Sequence, residues 1–394
     1  MRGNMSKITK YIEQKYAQDI VDLTSKLVSI KSITGDEGEI VNYVYSKMKS
    51  LGFENVTIDN FGNVFGKLGN GLKKIVFDSH LDTVEAGIIS EWEESPFSGK
   101  ISNNKIYGRG SADMKAGFVA SIYSAIAAKE LDLLDDKTIY VIGSIMEEDY
   151  EGVALKYILE NNIIDSDVVI ICEPSSLKIA RGHKGRALIE VSTKGISAHG
   201  SAPNFGKNAV YPMIEILNRV RKLENFSCNN PQEGTIALTK IDVDSVSYNA
   251  IPGSCTICLD RRITSKENKN DIIKQMDELV KNTQASWKFS IHNKTTWTKK
   301  DFSSEIYYPS WEIEKNNNYL KIMKEAYKTE TENEAKVILW DFSTNGVTSA
   351  GLLNIPTIGI GPGDPKLAHQ TNEFCEISQI IKATSIYCTF IKNF

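Results

Sequence analysis

The stretch KIVFDSHLD, residues 74–82, predicts a buried β-strand that ends in two polar side chains, His80 and Asp82. Three further apolar runs are also followed by acidic residues or a histidine: TIYVIGSIM at 138–146 before Glu147 and Glu148, VVIIC at 168–172 before Glu173, and IPTIGI at 355–360 before the loop with His369. In open α/β sheets, ligands collect beyond the carboxyl ends of such strands. We therefore expect these polar side chains to meet at one edge of a sheet.

Strands and helices alternate outward from this stretch, which predicts an α/β fold with a mostly parallel central sheet. Residues 185–295 instead follow the β-α-β-β-α-β order of a ferredoxin-like domain, with a last strand at 286–292. A chain of 394 residues also exceeds what one hydrophobic core usually fills. We therefore predict one α/β domain of residues 1–184 and 296–394, interrupted by an inserted α+β domain of residues 185–295.

Composition argues against several classes of partner. The chain has 41% apolar and 24% charged residues and a net charge of −4, so nothing favours binding to nucleic acid or to an anionic membrane. No apolar stretch approaches the roughly 20 residues that a membrane-spanning helix needs. The opening residues, MRGNMSK, are polar and do not resemble a secretory signal. We therefore expect a cytoplasmic protein with neither nucleic-acid nor membrane partners.

The residues at the strand ends have the chemistry of metal ligands. A neutral imidazole such as that of His80 binds zinc well, and a neighbouring carboxylate such as that of Asp82 can orient the ring and raise its basicity. Glu147 and Glu148 are adjacent and would repel each other unless a positive charge compensates. With a metal pair, one of them could bind metal while the other takes a proton from a water molecule that the metal activates.

Each of these residues, taken alone, could have an ordinary structural role instead of binding metal. Asp113 lies in GRGSADMKAG, residues 108–117, where an aspartate before a helix is more often an N-cap than a ligand. Glu147 and Glu148 could belong to a solvated acidic loop, and His369 to an exposed loop. Together, however, two imidazoles and several carboxylates form a ligand set for two divalent cations, most of all zinc, with cobalt and manganese as alternatives.

The order of these motifs resembles that of the aminoacylase-type zinc peptidases, which include acetylornithine deacetylase, succinyl-diaminopimelate desuccinylase and carboxypeptidase G. The fragments that carry the resemblance are DSHLDTV at 78–84, GRG at 108–110, DMK at 113–115, Glu147-Glu148, Glu173-Pro174 and Ala368-His369. The resemblance extends from about residue 15 to the end of the chain. The segment between Trp92 and Phe97 and the stretch WDFSTNGV at 340–347 are most similar to hydrolases linked to selenium metabolism.

The resemblance implies that the α/β domain is catalytic and binds two metal ions, most often zinc. It assigns the following roles: His80 and Glu173 to one ion, Glu148 and His369 to the other, Asp113 as the bridge between them, Glu147 as the general base, and Asp82 as the residue that orients His80. The peptide bond after Asp113 is often cis in such enzymes.

The resemblance also implies that residues 185–295 form a lid through which two subunits make a homodimer. His199, in SAHG at 197–200, resembles the histidine that reaches a neighbouring subunit's active site and stabilises the oxyanion. Arg262 and Asn249 resemble residues that bind the carboxylate of the substrate, and a guanidinium fork suits that role. The loop that cradles the same carboxylate corresponds to Ser343, Thr344, Asn345 and Gly346.

The expected activity is hydrolysis of an amide bond in an N-acyl amino acid or small peptide that carries a carboxylate. Glu173, where the aminopeptidases have aspartate, fits the deacylases and carboxypeptidases better. Two alternatives stay open. The chain could be a dipeptidase or carboxypeptidase with the same chemistry, or a non-catalytic metal-binding protein, against which the presence of Glu147 speaks.

Overall fold

The computed structural model describes residues 6–229 and 234–394, so residues 1–5 of the first predicted domain lie outside it. The chain divides into two units: the first runs from the amino terminus to Gly182 and includes Lys294–Phe302 and Glu312–Phe394, and the second comprises His183–Asn293 and Ser303–Trp311. Ser303–Trp311 thus belongs to the second unit, although the sequence pattern places it in the first domain.

Helices and strands alternate along most of the chain. The helices are α1 Lys7–Ser29, α2 Gly38–Ser50, α3 Ala116–Glu130, α4 Val153–Glu160, α5 Val210–Asn229, α6 Lys269–Val280, α7 Asn318–Thr331 and α8 Ile377–Asn393. The strands are β1 Glu54–Ile58, β2 Val64–Leu68, β3 Lys73–His80, β4 Ile101–Ser102, β5 Lys105–Tyr107, β6 Lys137–Ser144, β7 Val168–Ile171, β8 Ile179–His183, β9 Gly185–Lys194, β10 Thr235–Asp244, β11 Ser254–Ile263, β12 Ser286–Phe289, β13 Ile291–Thr295, β14 Asp301–Glu305, β15 Tyr307–Tyr308, β16 Trp311–Glu312, β17 Val337–Trp340, β18 Thr357–Gly359 and β19 Phe374–Glu376.

The main sheet has nine strands in the order β1-β2-β6-β3-β7-β18-β8-β16, with β17 paired to β8. Its central strands β6, β3, β7 and β18 run parallel to one another. On either side of them, β2 and β8 pair in the antiparallel sense. This arrangement confirms the predicted α/β class with a mostly parallel central sheet.

Strand β3 is buried on both faces, as expected for a parallel strand that helices cover. Ile75, Val76 and Phe77 are fully buried, and the ring centroid of Phe77 lies 5.2 Å from that of Tyr387 on α8. Helix α3 packs against α1 and α8 and is buried on nearly every side, which accounts for its almost continuous run of apolar and small residues. This core determines where the strand ends lie.

The carboxyl ends of the central strands are level with one another. His80 at the end of β3 is in register with Ser144 at the end of β6, and Asp78 is in register with Ile171 at the end of β7. Ile171 is in turn level with Gly359 at the end of β18. The residues that follow these strands therefore emerge at one edge of the sheet.

Three local features differ from the sequence predictions. Strand β6 ends at Ser144 rather than at the predicted residue 146, because Met146 adopts a left-handed backbone conformation with φ of 62° and begins a turn. The predicted strand at 286–292 is divided into β12 and β13. The hydrophobic patterns described above do not predict α2 or α8.

The second unit contains an antiparallel sheet in the order β10-β11-β9-β12, with β15 beside β9. Along the chain its elements follow the order β9, α5, β10, β11, α6 and β12, which confirms the predicted ferredoxin-like arrangement. Its separate core includes Val191, Met213, Ile257 and Met276. In the described part of the chain, no helix is both long and apolar enough to cross a membrane.

Candidate metal centre and active site

Asp113 offers one carboxylate oxygen to each of two histidines. Its Oδ1 is 3.1 Å from Nε2 of His80, and its Oδ2 is 3.5 Å from Nε2 of His369. The peptide bond between Asp113 and Met114 is cis, as the resemblance implies. Asp113 therefore lies between two sets of candidate ligands, which we call the His80 group and the His369 group.

The His80 group consists of His80 and Glu173, both buried. Oε1 of Glu173 is 3.6 Å from Nε2 of His80. Nδ1 of His80 donates a hydrogen bond to the backbone carbonyl of Asp82 at 2.9 Å, and because a carbonyl can only accept, Nδ1 carries the proton. Nε2, which faces the carboxylates, is therefore the nitrogen that can bind a cation when the ring is neutral.

The His369 group consists of His369 and Glu148. Nε2 of His369 is 2.8 Å from Oε2 of Glu148, and the side chain of His369 is 50% exposed whereas that of Glu148 is 5% exposed. Oε1 of Glu148 accepts a hydrogen bond from the backbone N–H of Val84 at 3.2 Å. Each group therefore combines one imidazole with one glutamate, next to the aspartate that both share.

Glu147 is buried beside the His80 group. Ligand atoms of His80, Glu147 and Glu173 all lie within 4.8 Å of one another, and so do those of His80, Asp113 and Glu148. Oε1 of Glu147 is buried and has no hydrogen-bond partner among the described residues. Distances alone therefore allow Glu147 to be either a ligand or a base beside the ligands.

Asp82 supports the turn that carries Glu147 and Glu148. Its Oδ1 accepts the backbone N–H of Glu147 and its Oδ2 that of Glu148, each at 3.1 Å. Oδ2 also accepts a hydrogen bond from the hydroxyl of Thr34 at 2.9 Å. The carboxylate is 3.6 Å from Nδ1 of His80, which instead bonds to the Asp82 backbone. Asp82 thus contacts His80 chiefly through its carbonyl, and its carboxylate orients the turn.

Two residues that the sequence patterns miss also hold this turn. Oδ1 of Asn63 accepts the backbone N–H of Ile145 at 3.2 Å, and Oε1 of Glu37 accepts that of Met146 at 3.1 Å. With the two bonds to Asp82, every backbone N–H from residue 145 to residue 148 is held by a buried side chain. No local motif marks Asn63 or Glu37, because their partners are distant in the sequence.

The carboxylates of the site are crowded and buried, which shifts their pKa values. Burial and the charge of Glu173 raise the pKa of Glu147 well above its usual range. Burial and the charge of Asp113 raise the pKa of Glu173 and of Glu148 in the same way. Like charges held this close favour a bound cation, which would offset them.

The pKa values of the two histidines are raised as well, which favours the charged form of each ring. Hydrogen bonds with Asp113 and Glu148 raise the pKa of His369 to about 10. Burial opposes the charged form of His80, but Glu173 and Asp113 outweigh it and raise the pKa of that ring well above its usual range. Burial likewise opposes ionisation of Asp113, but its bonds with the two histidines outweigh it and lower its pKa. The site therefore favours positive charge.

The side chain of Asn345 is occupied inside the protein. Its Nδ2 donates to Oδ2 of Asp78 at 2.8 Å and to the hydroxyl of Ser144 at 3.1 Å, and its Oδ1 accepts the backbone N–H of Gly152 at 2.7 Å. These three hydrogen bonds hold the Asn345 side chain against β3, β6 and the start of α4. In the same loop, Oγ1 of Thr344 accepts the N–H of Gly346 at 3.1 Å, and Oγ of Ser343 is buried without a hydrogen-bond partner in the described part of the chain.

Three of the predicted site residues belong to the second unit. Nδ1 of His199 accepts the backbone N–H of Ser201 at 3.2 Å and is 2.7 Å from its hydroxyl, so the proton of a neutral ring lies on Nε2. Nε of Arg262 donates to Oδ1 of Asp260 at 2.8 Å, and its side chain is 41% exposed. Asn249 is exposed.

Comparison with known proteins agrees with this geometry. Residues 76–393 match the model of the family described as peptidase family M20/M25/M40. YgeY of Escherichia coli strain K12, an uncharacterized protein, is 33% identical over 376 residues, which cover 94% of this chain and 93% of that protein. Succinyl-diaminopimelate desuccinylase of Wolbachia pipientis wMel is 29% identical over 395 residues, which cover 95% of this chain and 93% of that protein.

The structure of the M20 family metallo-carboxypeptidase Sso-CP2 from Sulfolobus solfataricus aligns with a TM-score of 0.69 and 18% identity over 96% of this chain and 98% of that one. The resemblance seen in the sequence is confirmed.

Proposed function

The chain belongs to peptidase family M20/M25/M40 and is a metallohydrolase of amide bonds, and from this we propose that it cleaves an N-acyl amino acid or a small peptide with Glu147 as general base. The observation that carries the proposal is the position of Asp113, whose two oxygens face separate histidine–glutamate groups. Such an arrangement suits two cations that share one bridging carboxylate.

We further propose that both cations are zinc. The donors are imidazole nitrogens and carboxylate oxygens, which zinc accepts in sites that keep a position open for water. Cobalt and manganese share much of this ligand chemistry and are the alternatives. The buried, unpaired Oε1 of Glu147 and the raised pKa values of the glutamates support a site that is completed by positive charge.

When bound, two such ions lower the pKa of a water molecule and polarise the carbonyl of the amide. In the proposed reaction, Glu147 accepts a proton from that water at its free Oε1 while the water oxygen bonds to the carbonyl carbon. Glu147 then donates the proton to the amine nitrogen as the C–N bond breaks. Asp82 positions Glu147 and Glu148 through their backbone N–H groups. His199, with its proton on Nε2, is proposed to donate a hydrogen bond to the oxyanion.

The proposed substrate carries a carboxylate, which Arg262, Asn249 and the loop of residues 343–346 would bind. One relative is named a succinyl-diaminopimelate desuccinylase. That name supports an N-acyl amino acid as the substrate, because such substrates carry a free carboxylate. The solved carboxypeptidase supports the alternative, a dipeptidase or carboxypeptidase reaction. A non-catalytic metal-binding protein is the less favoured alternative, since it would have no need for Glu147.

A substrate panel tests this proposal. The purified protein is supplied with zinc, cobalt or manganese and assayed against N-acetyl and N-succinyl amino acids and against dipeptides. We expect hydrolysis of at least one N-acyl amino acid, its loss with a chelator and its return with the metal. Cleavage of dipeptides alone would establish the peptidase alternative, and stoichiometric metal without any hydrolysis would establish the non-catalytic one.

We also propose that two copies of the chain pair through β10. Among the strands of the described residues, β10 pairs with β11 alone and forms an edge of its sheet, yet its exposed side chains include Leu238, Ile241 and Val243. An edge strand with apolar side chains is a template for pairing with another chain. Pairing of this kind fits the proposed action of His199 on a neighbouring subunit.

Replacing Ile241 with lysine is expected to convert a dimer into a monomer, because a charge on the edge strand opposes pairing. Light scattering coupled to size-exclusion chromatography gives the mass of the species. Activity is expected to fall as well, because a monomer loses the proposed hydrogen bond from His199 to the oxyanion in a neighbouring subunit. Leu72→Lys, at an exposed position of the first unit, is the matched control. A wild-type monomer with full activity would contradict the proposal.

A further inference from the structure

A buried ion pair links the loop of Asp113 to the loop of His369. Nη1 of Arg109 is 2.7 Å from Oε2 of Glu373, and the two side chains are 3% and 0% exposed. Glu373 ends the stretch HQTNE that begins at His369, and no sequence pattern marks it as a functional residue. A buried ion pair costs desolvation energy and is weak evidence for stability, so its geometry is the more informative property.

Glu373 holds the backbone that leads into Asp113. Its Oε1 accepts the N–H of Ala112 at 2.8 Å and that of Asp113 at 3.1 Å, while its Oε2 accepts the N–H of Gly110 at 3.2 Å in addition to Arg109. One carboxylate thus receives four hydrogen bonds from this loop. The position of the shared aspartate therefore depends directly on Glu373.

Arg109 holds the backbone of the His369 loop. Its Nη2 donates to the carbonyl of His369 at 3.3 Å, and its Nη1 donates to that of Gln370 at 3.2 Å. His369 has φ of 63°, a left-handed conformation that favours glycine and is strained for other residues. Donors on its carbonyl and on the next one help to keep this conformation, which places the imidazole beside Glu148.

Building on the proposed two-ion site, we infer that Arg109 and Glu373 form a positioning pair for the cation of the His369 group. Arg109 holds the backbone of His369 directly, and it holds the backbone of Asp113 through Glu373. The proposed ligands on both sides of this cation therefore depend on Arg109. Within the described residues, no hydrogen bond joins Arg109 or Glu373 to His80 or Glu173. Loss of the pair should therefore weaken the cation of the His369 group more than that of the His80 group.

A cobalt titration of the metal-free Arg109→Lys variant tests the inference. Lysine keeps the charge but lacks the fork that reaches Glu373 and both carbonyls at once. Changes to groups that orient metal ligands typically cost about 10–100-fold in affinity. We expect one cobalt ion to bind as in the wild type and the other to bind about 10–100-fold more weakly. Calorimetry and visible absorption measure both ions independently of activity.

Arg181→Lys is the matched control, because Arg181 also pairs with a carboxylate, Glu312, and donates to a backbone carbonyl, that of Ile313. It is expected to bind both ions as the wild type does. Arg109→Gln provides the same test if the lysine variant fails to fold, since it also removes the guanidinium that holds the carbonyls of His369 and Gln370. Unchanged binding of both ions, or equal weakening of both, would overturn the inference. A wild-type protein that binds fewer than two ions would instead overturn the proposed function.

Discussion

Replacing Glu147 with glutamine is expected to lower kcat by about 10²–10⁴-fold, the usual contribution of a general base, while the protein keeps its metal. The physical reason is that the amide cannot accept a proton from water, although it has the same size as the carboxylate. Steady-state kinetics on the best substrate of the panel and mass spectrometry of bound metal measure the two quantities on one preparation.

Metal content decides between the two roles that the distances allow for Glu147. If Glu147 is a ligand of the His80 group, the glutamine variant loses metal as well as activity. If it is the base, metal stays near the wild-type amount. Asp149→Asn is the matched control, because Asp149 is an exposed acid close to Glu147 along the chain. A glutamine variant that keeps most of its activity would show that the base lies elsewhere.

Asp113→Asn is expected to remove most of both bound ions and to abolish measurable turnover. The substitution removes one carboxylate oxygen and the negative charge from a residue that faces both His80 and His369. The loss of metal affinity should exceed the roughly 10–100-fold that is typical of residues that merely orient a ligand. Metal titration of the metal-free variant, followed by assay with excess zinc, measures the effect.

Asp135→Asn serves as the control for this variant, because Asp135 is exposed and belongs to the same unit. It should bind metal and turn over substrate as the wild type does. If Asp113→Asn lost a single ion and kept the other at wild-type affinity, Asp113 would be a ligand of one cation rather than a bridge. The arrangement of two groups around it would then need another explanation.

The sequence is sufficient to predict the strand ends that carry the site. Buried parallel strands are continuous apolar runs, so a histidine or glutamate directly after such a run stands out. The register of β3 with β6 and β7 brings these ends to one edge, as open α/β sheets generally do. The β-α-β-β-α-β order of the second unit is equally visible, because strand and helix have different hydrophobic periods.

The hydrogen-bond partners inside the site could not be predicted in the same way. The spacing of His80 and Asp82 suggests that the carboxylate orients the ring, but in the structure it accepts the backbone N–H groups of Glu147 and Glu148. A turn that is buried at a sheet edge leaves its backbone donors without ladder partners, and they must be satisfied by whatever acceptors lie nearby. Which acceptors lie nearby depends on the packing of distant segments.

The hydrogen-bond partners of Asn345 and Glu373 also come from distant segments of the chain. The resemblance implies that the backbone of the loop containing Asn345 cradles the substrate carboxylate, and no sequence pattern assigns a role to Glu373. In the structure, the Asn345 side chain donates hydrogen bonds to Asp78 and Ser144. The Glu373 carboxylate accepts hydrogen bonds from the loop that leads into Asp113. Residue types and local periodicity therefore identify the side chains that can bind metal, because those depend on short stretches of chain. The groups that hold these side chains in place come from segments up to about 260 positions apart, and packing alone brings such segments into contact.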